Sequence, residues 1–266
     1  MIRVAQLTKG YGDNPVLRGI DLRIEAGEFV VILGQSGAGK STLLRCMNRL
    51  AQADSGTLQV AGVDALLPRD QRELRRRVAM IFQHHNVVPR LSVLKNVLTG
   101  RLGCVGTLAS VLQLFSREDI ALARECLRRV ELEHKAEART DSLSGGQMQR
   151  VGIARALAQR PQVILADEPV ASLDPKTAQL VMHYLREATR TLGITVVCNL
   201  HQVDLAREFG DRIVGLANGR VVFDGSAGEL DESALQRIYQ QRPSGEATAY
   251  QAAARAVYTS GTGASA

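Results

Sequence analysis

The chain has 266 residues, 45% of them hydrophobic, and its 33 Lys and Arg against 27 Asp and Glu leave a formal net charge of +6. That is enough apolar material for one large domain or two lobes. No apolar run approaches the ~20 residues that cross a bilayer, and Met1 to Gln6 lack the apolar core of a secretory signal. The expectation is a protein of the cytosol, or one docked on something membrane-bound. The positive excess is diffuse apart from Arg69 to Arg77 and the pair Arg128-Arg129, which fits solvated helix faces better than a nucleic-acid surface. Cys46, Cys104, Cys126 and Cys198 stand singly with no CxxC pair. They argue against a zinc site or a disulfide framework and are expected to be reduced, buried thiols.

The first elements alternate as sheet: Ile20, Leu22 and Ile24 interleave with Gly19, Asp21 and Arg23, between turns at Gly12-Asp13-Asn14-Pro15 and Ala26-Gly27-Glu28. The apolar run Phe29 to Leu33 then hands over to Gly34-Gln35-Ser36-Gly37-Ala38-Gly39-Lys40-Ser41 and the helical stretch Thr42 to Leu50. Strand, Gly-rich loop and helix in that order make a phosphate loop, in which glycines let backbone N–H groups turn inward and the helix adds its positive N-terminal dipole. Lys40 is placed to meet the β- and γ-phosphates and Ser41 to ligate Mg²⁺. Gly56 to Gly62 and Val78 to Phe82 read as strands, the second ending at Gln83.

From Ser92 to Arg160 the pattern is largely helical, with Ser92 capping Val93 to Leu102, and Ser116 with Asp119 forming a capping box ahead of Ile120 to Val130. Leu143-Ser144-Gly145-Gly146-Gln147 opens the helical run Met148 to Ala158. A serine and two glycines at a helix start bring hydroxyl, backbone N–H groups and dipole to one point, a second anion-binding device. After Pro161, Val163 to Ala166 form a short strand buried on both faces, and Asp167-Glu168 lie at its C-terminal end, where ligands bind in open α/β sheets. Adjacent carboxylates on an extended backbone face opposite ways, so Asp167 is read as holding Mg²⁺ and Glu168 as polarising the attacking water. Asp174-Pro175 start a helix that Gly193 ends, Ile194 to Leu200 form the next strand, and Asn218-Gly219 make a hairpin turn. Beyond Arg242 the chain turns rich in Ser, Gly, Ala and Thr and reads as a poorly ordered tail, with Tyr250 to Tyr258 a candidate short helix. Two phosphate devices competing for one γ-phosphate suggest a head-to-tail dimer, the loop of one chain facing the Ser-Gly-Gly turn of another.

Taken in order, these motifs resemble the ATP-binding-cassette ATPases over nearly all of residues 1 to 240. Gly34 to Ser41 match the phosphate loop, Gln83 the glutamine loop, and Leu143 to Gln147 the signature. Val163 to Glu168 match the Walker-B strand, Ser172-Leu173-Asp174 the D-loop, His201 the switch histidine, and Tyr11 the aromatic that stacks on adenine. The resemblance implies an α/β fold, a RecA-like P-loop NTPase core with an antiparallel β-subdomain and a helical signature subdomain at about 84–160. The whole domain would span 1–242. It also implies ATP and Mg²⁺, with Glu168, His201 and Gln83 in catalysis and Ser41, Gln83 and Asp167 at the metal. Tyr11, Gly34, Gln35, Ser36, Gly37, Ala38, Gly39, Lys40, Ser41 and Thr42 would bind nucleotide from one side, and Ser144, Gly145, Gly146, Gln147 and Asp174 from the other. The implied partners are a second copy with head-to-tail ATP sites, separate membrane permease subunits and, indirectly, a periplasmic phosphonate-binding protein, but no nucleic acid. The implied location is the cytoplasmic face of a bacterial inner membrane.

Three segments, Gln83 to Val97, Asp167 to Pro175 and Asn199 to Ala206, resemble the ATP-binding subunits of bacterial phosphonate importers. Phosphite and hypophosphite importers are similar, phosphate importers are an alternative, and amino-acid importers lie somewhat further off. A soluble nucleic-acid-associated ATPase of this class is disfavoured by the lack of sustained heptads and of a second phosphate loop. A module that binds ATP without turning it over is disfavoured by Asp167, Glu168 and His201 together.

Overall fold

The computed structural model describes residues 1–83, 86–105 and 114–239, so His84, His85 and the tail with its candidate helix at Tyr250 to Tyr258 lie outside the described residues. Two sheets organise the chain. Strands β1 (Ile2–Tyr11), β2 (Asn14–Ile24), β4 (Ser55–Val60) and β5 (Val63–Asp64) form an antiparallel sheet in the order β2-β1-β4-β5. Strands β3 (Phe29–Leu33), β6 (Val78–Ile81), β7 (Val163–Asp167), β8 (Thr195–Asn199), β9 (Arg212–Ala217) and β10 (Arg220–Gly225) form the larger one, ordered β10-β9-β3-β8-β7-β6. It is parallel from β9 to β6, and β10 adds an antiparallel edge. The helices are α1 (Lys40–Met47), α2 (Gln71–Arg77), α3 (Val93–Leu98), α4 (Arg117–Arg129), α5 (Gly145–Ala158), α6 (Pro175–Leu192), α7 (Val203–Phe209) and α8 (Glu232–Tyr239).

The central strands are largely apolar because both of their faces are covered, and Asp167 and Asn199 stand at their C-terminal ends. Along β3, Val30 and Ile32 join a core with Leu43, Leu44 and Met47 of α1 and with Ile2, Leu7 and Ile20 of the antiparallel sheet. Phe29, Val31 and Leu33 join the opposite core with Val97, Leu127, Val151 and Leu185 from α3, α4, α5 and α6. β7 divides in the same way, Val163 and Leu165 to one core and Ile164 and Ala166 to the other.

Local chemistry sets the boundaries. Ser116 and Asp119 form the expected capping box on α4, Asp174 caps α6 ahead of Pro175, and Gly193 ends α6 in a left-handed conformation at φ 67°. Asn218 (φ 49°) and Gly219 (φ 74°) make the β9–β10 hairpin turn. That turn rests on the other sheet, since Arg18 N donates to Gly219 O at 2.9 Å and a Cβ on Gly219 would lie 2.1 Å from Val16 O. The arginine-rich α2 has one buried residue, Leu74, and Arg77 donates to Glu73 at 2.7 Å, which is a solvated face with an internal ion pair.

Two expectations are corrected. α3 ends at Leu98 rather than Leu102 and continues as a 3₁₀ turn over Thr99–Arg101. Gly100 is pressed against α5 so closely that a Cβ there would sit 2.3 Å from Arg155 O, and the tighter turn follows that contact. Cys104, in the turn beyond, is exposed, whereas Cys46, Cys126 and Cys198 are buried as expected. Burial pushes the Cys46 and Cys126 thiols up to about 11.

Candidate functional site

Gly34 to Ser41 leave the C-terminal end of β3 and enter α1. Gly37 (φ 83°) and Gly39 (φ 103°) take left-handed conformations, and Gly39 has a second constraint, because a Cβ would approach Leu17 Cδ2 to 2.9 Å. The loop therefore lies against the start of β2, just beyond the hairpin that carries Tyr11. That ring is half exposed, with Lys9 Nζ 5.1 Å from its centroid. Lys40 is 4% exposed, and its Nζ donates to Gly34 O at 2.7 Å and Gln35 O at 3.1 Å. Burial lowers its pKa, while the charges of Glu168 and Asp167 pull the other way. Its hydrogen bonds go to backbone carbonyls, while two carboxylates stabilise its charge from further off. Gln35 also donates from Nε2 to Tyr239 O, tying the loop to the end of α8.

Ser41 Oγ donates to Asp167 Oδ1 at 2.7 Å, joining the first turn of α1 to the end of β7. Asn199 Nδ2 donates to the same oxygen at 2.9 Å. Sheet register makes this possible: Asn199 ends β8, opposite Asp167 on one side and Ile32 on the other. Glu168 departs from the expected extended backbone, since its φ of 51° lies in the left-handed region. The two carboxylates bond different partners, Asp167 to Ser41 and Asn199 and Glu168 to His201, while both charges act on Lys40. His201 Nε2 lies 2.6 Å from Glu168 Oε1. An ionised carboxylate only accepts, so in this pairing Nε2 carries the proton. Glu168, Val170, Leu200, His201 and Gln202 line a cleft of about 50 Å³.

Ser144 caps α5 with a full capping box, Ser144 Oγ accepting from Gln147 N at 3.4 Å and Gln147 Oε1 accepting from Ser144 N at 3.1 Å. Gly146 allows close approach to α6, because a Cβ would meet Thr177 Cγ2 at 2.4 Å. Thr177 N in turn donates to Asp174 Oδ1 at 3.0 Å, so the Ser-Gly-Gly turn and Asp174 are neighbours through Thr177. Among the described residues, Ser144 to Gln147 make no hydrogen bond to the phosphate loop. Gln83 stands exposed just beyond β6 and is not among the residues that bond Ser41, Asp167 and Asn199 to one another. Asn199 was not singled out as a site residue from sequence; the signal was an amide inside a run read as a buried strand.

Residues 17–171 match the ABC transporter family. The chain belongs to that family. This ABC ATPase is 55% identical over 241 residues to the phosphonates import ATP-binding protein PhnC of Thiobacillus denitrificans, covering 90% of this chain and 93% of that protein. It is 53% identical over 229 residues to a phosphonates import ATP-binding protein of Halalkalibacterium halodurans, covering 85% and 88% of the two. Among solved structures, the ATP-binding cassette MJ0796, a dimer in a post-hydrolysis state bound to ADP and Pi, superposes with a TM-score of 0.74 at 35% identity. The match covers 85% of this chain and 99% of that one. CbiO1 of Clostridium perfringens, part of the transporter complex cbiONQ, gives 0.76 at 30% identity over 89% and 92%. The RecA-like P-loop core with an antiparallel β-sheet and a helical signature region, expected from sequence, is the fold of this cassette.

Proposed function

We propose that the chain is the ATP-hydrolysing subunit of a bacterial importer that takes up phosphonate or a related phosphorus oxyanion. It would work as a homodimer beneath separate permease subunits on the cytoplasmic face of the inner membrane. The observation that carries the enzymatic reading is the convergence of Lys40, Ser41, Asp167, Glu168 and His201 at the ends of neighbouring parallel strands. The cargo rests on what the relatives are named for, because cargo does not touch the ATPase subunit.

Lys40 meets the β- and γ-phosphates of ATP, and the backbone N–H groups of the loop hold them in line. Glu168 accepts a proton from the attacking water, and His201, already hydrogen-bonded to it, keeps that carboxylate aimed. Tyr11 offers its exposed ring to adenine. The donor set fits Mg²⁺: Ser41 Oγ and the Asp167 carboxylate are hard oxygen donors beside the phosphate loop that would hold the ion, and Gln83 would add a further oxygen in the family pattern. When bound, the ion neutralises charge developing on the phosphate oxygens.

Ser144, Gly145, Gly146, Gln147 and Asp174 complete the site across a head-to-tail dimer. Residues 1–242 act as one nucleotide-binding domain, with a helical subdomain at about 84–160. The segment after Gln83 docks on the permease: Val88 is 46% exposed, yet its backbone is pinned by the buried Asn96, which accepts from Val88 N at 2.7 Å and donates to Val88 O at 3.0 Å. A periplasmic binding protein delivers cargo from the far side. No helix among the described residues is long and apolar enough to cross a membrane.

Two measurements test this. Lys40→Ala should lose binding of a fluorescent ATP analogue together with hydrolysis, and unchanged affinity would remove the phosphate-loop assignment. In proteoliposomes with its permease and binding protein, ATP turnover should rise with a phosphonate. Stimulation by amino acids and not by phosphorus oxyanions would overturn the cargo.

A further inference from the structure

We infer that Asn199 is a positioning residue for the Mg²⁺ site, orienting the Asp167 carboxylate and offering its own amide oxygen to a water on the ion; this rests on the Mg²⁺–ATP reading above. Asn199 is 0% exposed and ends β8, the strand lying between the phosphate-loop strand β3 and the Asp167 strand β7. Nδ2 donates to Asp167 Oδ1 at 2.9 Å, the same oxygen that accepts from Ser41 Oγ at 2.7 Å. Two donors on one oxygen fix the carboxylate's rotation and leave Oδ2 without a donor among the described residues. The amide cannot be turned over, because its oxygen would then face the carboxylate.

Asn199 Oδ1, in contrast, is buried and has no hydrogen-bond partner among the described residues. Native structures rarely leave a buried acceptor unsatisfied, and such an orphan marks the place of an absent donor. A magnesium ion held by Ser41 and Asp167 would keep several of its waters, each a strong donor of the kind that oxygen lacks. A residue with only a packing role in an apolar strand needs neither the bond to Asp167 nor an orphan oxygen beside it. Partners of metal ligands that act in this way typically tune metal affinity by ~10- to 100-fold.

The test uses the full chain, a non-hydrolysable fluorescent ATP analogue, and MgCl₂ or MnCl₂, with Mn²⁺ occupancy followed by electron paramagnetic resonance. Asn199→Leu keeps the branched shape and removes both polar atoms. It should raise the metal concentration needed for half-saturation by ~10- to 100-fold while affinity for the metal-free analogue in EDTA stays at the parent value. Asp167→Ala serves as the comparator and should abolish the metal dependence. Thermal denaturation reports folding, and if the leucine variant fails to fold, Asn199→Val decides. If the parent itself binds the analogue equally with and without metal, the Mg²⁺–ATP reading fails. If the parent and Asp167→Ala behave as expected while the folded Asn199 variant matches the parent's metal curve, the inference is overturned.

Discussion

The phosphate-loop side and the Ser144 side of the molecule differ in how their polar groups are satisfied. On the first, Lys40, Ser41, Asp167, Asn199, Glu168 and His201 bond to one another and to loop carbonyls across three elements, and register within one parallel sheet brings them together. On the second, Ser144 and Gln147 cap each other at the exposed start of α5, and Lys135 Nζ, from outside that helix, donates to Gln147 Oε1 at 3.4 Å. The first is organised by a single fold. The second is an exposed helix start whose polar groups are bonded locally, and its proposed phosphate role needs a second chain. Lesions on the two sides should therefore separate chemistry from assembly.

The largest expected effect is on the first side. Glu168→Gln keeps the shape of the side chain and its reach to His201 but removes the carboxylate proposed to take the proton from water. Hydrolysis should fall by ~10²- to 10⁴-fold while ATP binding persists. With turnover blocked, an ATP-dependent dimer should accumulate in size-exclusion chromatography with light scattering. Near-parental turnover in the assembled transporter would sink this role for Glu168.

A smaller but more discriminating effect is expected on the second side. Gly146→Ala places a methyl 2.4 Å from Thr177 Cγ2, so α5 and α6 must separate or Thr177 must rotate. Overpacking of this kind typically lowers stability by ~1–3 kcal/mol. Monomer affinity for nucleotide should stay unchanged, because the loop side is untouched, while ATP-driven dimerisation is lost. A variant that dimerises normally would place the composite site elsewhere.

The contrast also shows which parts of the molecule could be read in the sequence. Local chemistry was legible wherever the partner lies within a few residues: the capping box of Ser116 and Asp119, Asp174 before Pro175, Gly193 in its left-handed turn, and the Asn218-Gly219 hairpin. Hidden were features decided by distant segments. The early end of α3 depends on Gly100 meeting Arg155, and the link from Asn199 to Asp167 spans two strands. Glu168 is an exception on the local side: its place after a buried strand suggests an extended backbone, but it takes a left-handed one where a turn begins, with Ala171 N donating to Glu168 O at 3.1 Å. The candidate phosphate-loop residues are visible as a motif because glycine spacing encodes backbone shape, whereas the bond that positions Asp167 follows from strand order.

The smallest expected effect tests whether the Ser144 side is self-contained within its own chain. Asp174 caps α6 and touches the signature turn through Thr177, whose side-chain and backbone hydrogen bonds hold the exposed carboxyl below its ordinary value of 3.8. A carboxyl lowered in the folded state stabilises the fold above pH 3.8, and that contribution fades as pH falls through the lower folded value. Asn is an equally good cap but does not titrate. The urea midpoint of the parent should therefore exceed that of Asp174→Asn at pH 6, with the gap closing below pH 3.8. A gap that stays constant across this range would show that the carboxylate is not held by Thr177. If the gap behaves as expected but Asp174→Asn also loses ATP-driven dimerisation at neutral pH, Asp174 reaches across to a second chain as well, and the boundary between the two sides runs through α6.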